Sequence, residues 1–102
     1  MKSEHLPEAT WKPYCSELRG RLSKAQRDSL PTTAFAFATA RKEPMLDAAH
    51  VRNAMARFDQ VKDVTDSDRT LAFSNIQKAA KHFDIQMMET DWHQFGTRRT
   101  KV

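Results

Sequence analysis

Apolar residues recur at spacings of three and four in three stretches of the chain, the periodicity of helices with one buried face. The first stretch predicts a helix that begins after an N-cap at Thr10 and runs to about Asp28. Leu30 and Pro31 should end it, because the residue before a proline avoids the helical region. The apolar stripe of this helix consists of Trp11, Tyr14, Cys15, Leu18, Leu22 and Ala25.

Two further helices are predicted downstream, each with its own N-terminal cap. Asp47 should cap a second helix that ends near Lys62, and Thr65 with Asp68 resembles a capping box for a third. The second helix presents an apolar stripe of Val51, Ala54, Met55, Phe58 and Val61. The third presents Ala72, Phe73, Ile76, Ala79, Ala80 and Phe83.

Residues 31–46 follow a different pattern, in which large and small apolar residues alternate around Phe35 and Phe37. This predicts a short hairpin or a packed extended segment that leans on the helices, because two strands alone are marginally stable. Thr90 starts a final turn that holds Trp92 and Phe95. The predicted fold is mostly α: a three-helix small domain with this extended or hairpin segment between helices 1 and 2 and a short C-terminal helical turn.

The length of 102 residues fits a single domain, with an irregular segment at 1–9 and a polar tail at 97–102. No apolar run approaches the ~20 residues that cross a bilayer, and the first ten residues lack the apolar core of a secretory signal. One cysteine cannot form an internal disulfide, which fits a reducing compartment. We therefore expect a cytoplasmic protein and no membrane partner.

Residues 30–58 read LPTTAFAFATARKEPMLDAAHVRNAMARF. This run resembles a small bacterial and bacteriophage domain of unknown function, whose pattern is LPDSAFA, an Arg-x-x-Pro link and DEAHVRNALAR. Thr32 and Thr33 depart from it, since the pattern has Asp-Ser there, and the resemblance continues loosely to Phe83. It implies an accessory domain, sometimes attached to phage capsid-maturation proteins, and supplies no reaction, cofactor or catalytic residue.

Polar residues cluster where this motif enters the second helix. His50, Asn53 and Arg57 are spaced by three and four, so they share one helix face. Together with Arg41 and Asp47 they could bind an anion, a phosphate or a partner carboxylate. The interpretation that we favour is a structural latch, in which Asn53 and Arg57 pin the 31–46 segment by binding its backbone carbonyls.

The formal net charge is +4 and the sequence pI is near 9.5, but the excess is spread along the chain. On the first helix Arg21, Lys24 and Arg27 would form a row that neutralises a few phosphates. Such nucleic-acid binding would be weak and without sequence preference, because no residue set is placed to read base edges.

No arrangement of residues predicts a metal, a cofactor or catalysis. The four histidines are too scattered for a zinc site, and the two glycines form no phosphate loop. We expect a non-catalytic interaction module that binds another protein. A small basic nucleic-acid-binding protein is the alternative.

Overall fold

The computed structural model describes residues 8–14 and 21–95. Within them, α1 spans Lys24–Asp28, α2 spans Ala48–Arg57 and α3 spans Asp66–His82, and residues 93–95 form a fourth, short helical segment. Single 3₁₀ turns occupy Thr32–Ala34 and Phe58–Gln60. About half of the described residues are helical, so the predicted helical domain is confirmed in outline, although its helices differ in length from the prediction.

The predicted hairpin is present between α1 and α2. Strands β1 (Phe35–Phe37) and β2 (Lys42–Pro44) pair antiparallel, and β1 packs against α3. All three residues of β1 are buried, so its alternation of large and small residues does not separate a buried face from an exposed one. Both faces of β1 are covered because α3 lies on the sheet and a second apolar cluster forms around Phe35.

The core lies between α3, β1 and α2. Its centre is aromatic: Phe58 packs on Phe37 and on Phe95, with ring centroids 5.3 and 4.9 Å apart. Val51 and Ala54 on α2 are fully buried beside them, as the helical stripe predicts. The buried side chains of the main cluster are Trp11, Ala36, Phe37, Met45, Val51, Ala54, Phe58, Val61, Ala72, Phe73, Ile76, Ala79, Ala80 and Phe95.

The predicted caps of α2 and α3 are confirmed. Asp47 accepts a hydrogen bond from the His50 backbone N–H (2.8 Å), which satisfies one of the orphan donors at the start of α2. Thr65 and Asp68 form a reciprocal capping box at the start of α3. Both helices therefore begin where the sequence predicts, because a cap is a local interaction.

The first predicted helix is wrong at residues 11–14 and 21–23, which are not helical, and its residues 15–20 lie outside the described residues. Residues 8–14 are irregular, and α1 begins only after a capping box between Ser23 and Gln26. Trp11 is fully buried in the core, where its Nε1–H donates to the Met45 carbonyl (3.1 Å). Cys15 and Leu18 lie outside the described residues. Tertiary contacts outweigh a local helical preference here, because a short helix is marginal by itself.

The C-terminal turn forms as predicted, with residues 93–95 helical and Phe95 buried. It reaches the core because α3 ends in a reversal at Asp84, whose φ is 60°. The Ile85 N–H then donates to the Ala80 carbonyl (2.7 Å), as in a Schellman motif. Residues 96–102, which include the predicted polar tail, lie outside the described residues.

Asn75 joins three separate parts of the chain in the middle of α3. Its side chain is fully buried, and its Oδ1 accepts from the backbone N–H groups of Thr10 (2.7 Å) and Trp11 (2.9 Å). Its Nδ2 donates to the carbonyl of Ala36 in β1 (2.8 Å). One amide thus satisfies buried backbone groups of the N-terminal segment and of the hairpin. The sequence analysis missed this residue.

We predict that Asn75→Ala lowers the free energy of unfolding by about 3 kcal/mol, because two N–H groups and one carbonyl lose their buried partner. The change should appear as a lower urea midpoint, followed by circular dichroism. Asn53→Ala is the matched control: Asn53 is exposed on α2, so its change should stay within about 0.5 kcal/mol. Equal effects of the two substitutions would contradict this role for Asn75.

Candidate functional site

An open groove of about 960 Å³ runs between α1, β2, α2 and the segment that follows α2. Six cationic side chains line it, against two carboxylates, and we call it the basic groove. The cations belong to Arg21, Arg27, Arg41, Lys42, Arg57 and Lys62, and the carboxylates to Glu43 and Asp63. Most of these residues are far apart in sequence, so only the fold collects their charges.

The basic groove brings together residues from both predicted sets. From the polar cluster, Arg41, His50, Asn53 and Arg57 line it. From the predicted basic row, Arg21 and Arg27 line it as well. In the sequence the two sets are separate, because nothing in their spacing shows that α1 and α2 border one groove.

Asp47 and His50 form the N-terminal corner of α2. The Asp47 carboxylate that caps the helix also lies 2.8 Å from His50 Nδ1. The His50 side chain is only 11% exposed, so this contact and the surrounding packing hold the ring in one orientation. Asp47 therefore does not line the groove itself but holds the His50 ring, which does line it, in a fixed orientation.

Arg41 is the residue that fastens the hairpin. Its Nη2 donates to the carbonyls of Arg27 (3.1 Å) and Leu30 (2.8 Å), and more weakly to that of Asp28 (3.3 Å). These carbonyls lie at and just beyond the end of α1, where a helix leaves acceptors without partners. The guanidinium also lies over the Phe35 ring, 4.7 Å from its centroid. Arg41 thus joins the hairpin turn to the C-terminal end of α1.

Asn53 and Arg57 do not have the predicted latch role. Both are exposed, and among the described residues neither makes a hydrogen bond to the 31–46 segment. A second fastening comes instead from Lys42, whose Nζ donates to the Lys62 carbonyl (2.6 Å). The hairpin is held by its own long cationic side chains, which reach outward, and the polar face of α2 is left facing the groove.

Four cations of the basic groove form no close ion pair in the part of the chain that the structure describes. Arg21, Arg27, Arg57 and Lys62 are exposed, and none belongs to an ion pair within 4.0 Å there. Cations in one groove repel each other, so an incoming anion would relieve this repulsion. The groove is chemically suited to bind carboxylates, phosphates or sulfates.

Lys24 is not one of the cations that line the basic groove. Its Nζ lies 2.9 Å from the Asp28 carboxylate, and this hydrogen bond is the main cause that lowers the pKa of Asp28 below its ordinary value. The predicted row of Arg21, Lys24 and Arg27 is wrong in its geometry, because Arg21 precedes α1 and the three do not share one helix. Arg19, a further basic residue of the predicted first helix that could contact nucleic acid, lies outside the described residues.

Glu43 is the carboxylate embedded in the groove, and the sequence analysis did not single it out. It is half-buried in β2 and has a left-handed backbone, with φ of 60°. Burial raises the pKa of Glu43 above its ordinary value of 4.5, while the positive charges of Arg57 and His50 act in the opposite direction. In the sequence, Glu43 is a charged residue between Lys42 and Pro44. Nothing in these neighbours indicates that its side chain is half-buried.

Residues 8–14 and 21–95 contain neither a cluster of metal ligands nor a helix that could span a membrane. No group of three metal-ligating side chains comes together there. No helix in this part of the chain has both the length and the hydropathy that spanning a bilayer requires.

We predict that Arg41→Lys lowers the free energy of unfolding by about 1–2 kcal/mol, because one ammonium cannot replace a planar fork that binds three carbonyls and stacks on Phe35. Hydrogen exchange should accelerate at the end of α1 and in the hairpin. The exposed Arg52 provides the control, Arg52→Lys, which should leave both measurements unchanged. Unaltered exchange at the end of α1 in the Arg41 variant would refute this fastening.

Glu43→Gln should raise the free energy of unfolding at neutral pH. A carboxyl whose pKa is raised by folding stabilises the folded state below its ordinary pKa and loses that contribution as the pH rises through the raised value. The advantage of the variant should therefore shrink as the pH falls toward 4.5. Urea titrations at a series of pH values measure this, with Asp63→Asn as the exposed control. A variant less stable than wild type at neutral pH would contradict the prediction.

Comparison with known proteins adds a family but no activity. A family model described as "Family of unknown function (DUF6582)" matches residues 19–90. This range contains the 30–58 motif and every described residue that lines the basic groove. The comparisons find no match among curated proteins and none among solved structures. Because the family model matches more than half of the chain, the protein belongs to the DUF6582 family of unknown function.

Proposed function

We propose that this protein is a non-catalytic interaction module that binds another protein by holding an acidic segment in the basic groove. The observation that carries the proposal is a set of four exposed cations that form no ion pair within 4.0 Å among the described residues: Arg21, Arg27, Arg57 and Lys62. Cations on a protein surface usually lie near a carboxylate or far from one another. A groove that gathers unpaired cations supports recognition of an anionic partner.

The groove also has walls that suit a peptide. Leu22, Pro44, Ala49 and Val61 line it between the cations. Apolar contacts between charged ones fit a segment that alternates acidic and apolar residues. The Arg41 and Lys42 fastenings hold two walls of the groove in place before binding, which lowers the entropic cost of association.

Two observations favour protein over nucleic acid. None of the described residues that line the groove is a Phe, Tyr or Trp, so the groove offers no aromatic ring for base stacking. Two carboxylates, Glu43 and Asp63, interrupt the cations and would repel a continuous phosphate backbone. A peptide can place its acidic residues to avoid them.

The setting that we propose is the cytoplasm of a bacterium or a bacteriophage-infected cell. It is supported by the resemblance of residues 30–58 to a bacterial and phage domain. An accessory role beside a capsid-maturation protein would be one such setting, in which a small module recruits or positions a larger partner.

The proposal predicts that a fluorescently labelled peptide of glutamate and leucine binds the protein, while the same peptide with glutamine for glutamate does not. Fluorescence anisotropy should show weaker binding as salt increases, because exposed charges are screened. The triple variant Arg21→Gln, Arg27→Gln, Arg57→Gln should lose at least about tenfold in affinity, since each contact contributes about 0.5 kcal/mol or more.

Lys24→Gln is the matched control, because Lys24 is on α1 but pairs with Asp28 and does not line the groove. Its affinity for the peptide should equal that of wild type. Labelled single-stranded and duplex DNA are titrated in parallel. Tighter binding of DNA that the triple variant abolishes would overturn the proposal in favour of nucleic acid. Absence of binding to the peptide, or an equal loss in Lys24→Gln, would overturn it as well.

A further inference from the structure

The basic groove contains a carboxylate of its own. Glu43 lines it among the cations and is half-buried, and within the described residues it makes no hydrogen bond and no ion pair within 4.0 Å. Asp63, the other carboxylate of the groove, is exposed to water. Glu43 is therefore the anionic group whose charge an incoming anion would meet with the least screening.

The backbone fixes Glu43 in this position. Its φ of 60° is unfavourable for a residue with a side chain, by about 1 kcal/mol or more. The strained residue lies between two anchored neighbours: Lys42 is bonded to the Lys62 carbonyl, and the ring of Pro44 fixes its own φ. Arg41, one residue further back, is also left-handed with φ of 56°. The backbone at Glu43 therefore keeps its position beside the groove as long as these contacts are made.

Charged groups face Glu43 from several elements. From α2 come Arg57 and His50, whose positive charges favour its ionised form. Arg27 lines the groove from α1, and Lys62 and Asp63 line it from the segment after α2. β1, the strand paired with β2, carries no titratable residue. The cations make Glu43 tolerable in its ionised form at neutral pH, but burial still raises its pKa.

We propose that Glu43 is the residue that sets the selectivity of the basic groove, because anion binding there is coupled to uptake of one proton by its carboxylate. The inference rests on the proposed function, since it concerns the same groove. An anion that binds Arg57 adds a like charge near Glu43 and neutralises a cation that favours the ionised form of Glu43. Both effects favour the protonated carboxyl. By linkage, protonation of Glu43 tightens anion binding by the same factor.

Two functional consequences follow. At neutral pH the ionised Glu43 repels any anion and weakens its binding. Only a segment with several acidic residues then gains enough attraction from the cations of the groove to bind. At mildly acidic pH the neutral carboxyl can donate a hydrogen bond to a carboxylate of the partner, and the groove becomes more permissive. Glu43 thus acts as an internal competitor whose effect depends on pH.

The test uses the full chain and a labelled peptide in which cysteic acid replaces glutamate. The sulfonates of this probe stay ionised in the range where Glu43 titrates, so every change in affinity with pH comes from the protein. Glu43→Gln should bind the peptide about two- to fivefold more tightly than wild type at neutral pH, the range expected for one partly screened like-charge contact. The difference should vanish on acidification. Asp63→Asn is the control and should follow wild type.

Isothermal titration calorimetry in two buffers of different ionisation enthalpy measures the protons directly. Wild type should take up a fraction of a proton on binding just above the pKa of Glu43, and Glu43→Gln should take up less by that amount. Glu43→Asp keeps the charge and should keep part of the uptake.

The outcomes separate this inference from the proposed function. If wild type binds neither the glutamate peptide nor the cysteic acid peptide, the proposed function fails. If wild type binds both peptides but Glu43→Gln binds no more tightly and takes up the same number of protons, the groove binds anions and Glu43 does not control it. A gain in Asp63→Asn equal to that in Glu43→Gln would also overturn the inference, because it would show a diffuse effect of net charge.

Discussion

The Asn75 side chain is the contact on which the arrangement of this fold depends. It is buried in the middle of α3, and it binds the backbone of the N-terminal segment with its oxygen and the backbone of β1 with its nitrogen. Neither segment has enough regular structure to satisfy its own peptide groups. Because an unpaired buried peptide group costs about 1–3 kcal/mol, the amide decides where both segments lie on α3.

The position of the hairpin then determines the basic groove. Once Ala36 is held against α3, the turn of the hairpin extends toward α1, where the Arg41 guanidinium binds the carbonyls at the helix end. Lys42 reaches the segment after α2 in the same way. Arg41 and Lys42 bind backbone carbonyls on two sides of the groove. The other cations of the groove are exposed to solvent. The groove and its surplus of charge are consequences of how the hairpin is fastened.

Local signals in the sequence predicted the elements that depend on neighbours along the chain. The predicted caps at Asp47 and Thr65 are confirmed, because in each cap a side chain accepts from the backbone N–H three residues further on. The buried stripe of α3 and the hairpin at 31–46 were also predicted from periodicity. The first helix was not, because the stripe from Trp11 onward looked helical while the tryptophan in fact enters the core from an irregular segment. Periodicity identifies which residues are buried but not which backbone carries them.

Some features of the candidate site also follow from local spacing, and others depend on contacts between distant parts of the chain. Spacing along the chain is enough to predict the fold class in outline, the family motif, the caps and the shared helix face of His50, Asn53 and Arg57. Three features follow only from contacts between distant residues: Arg21 and Arg27 border the same groove, Arg41 and not Asn53 fastens the hairpin, and Glu43 is half-buried among cations. Burial and charge proximity arise from contacts between residues far apart in sequence, and spacing along one chain carries no information about those distances.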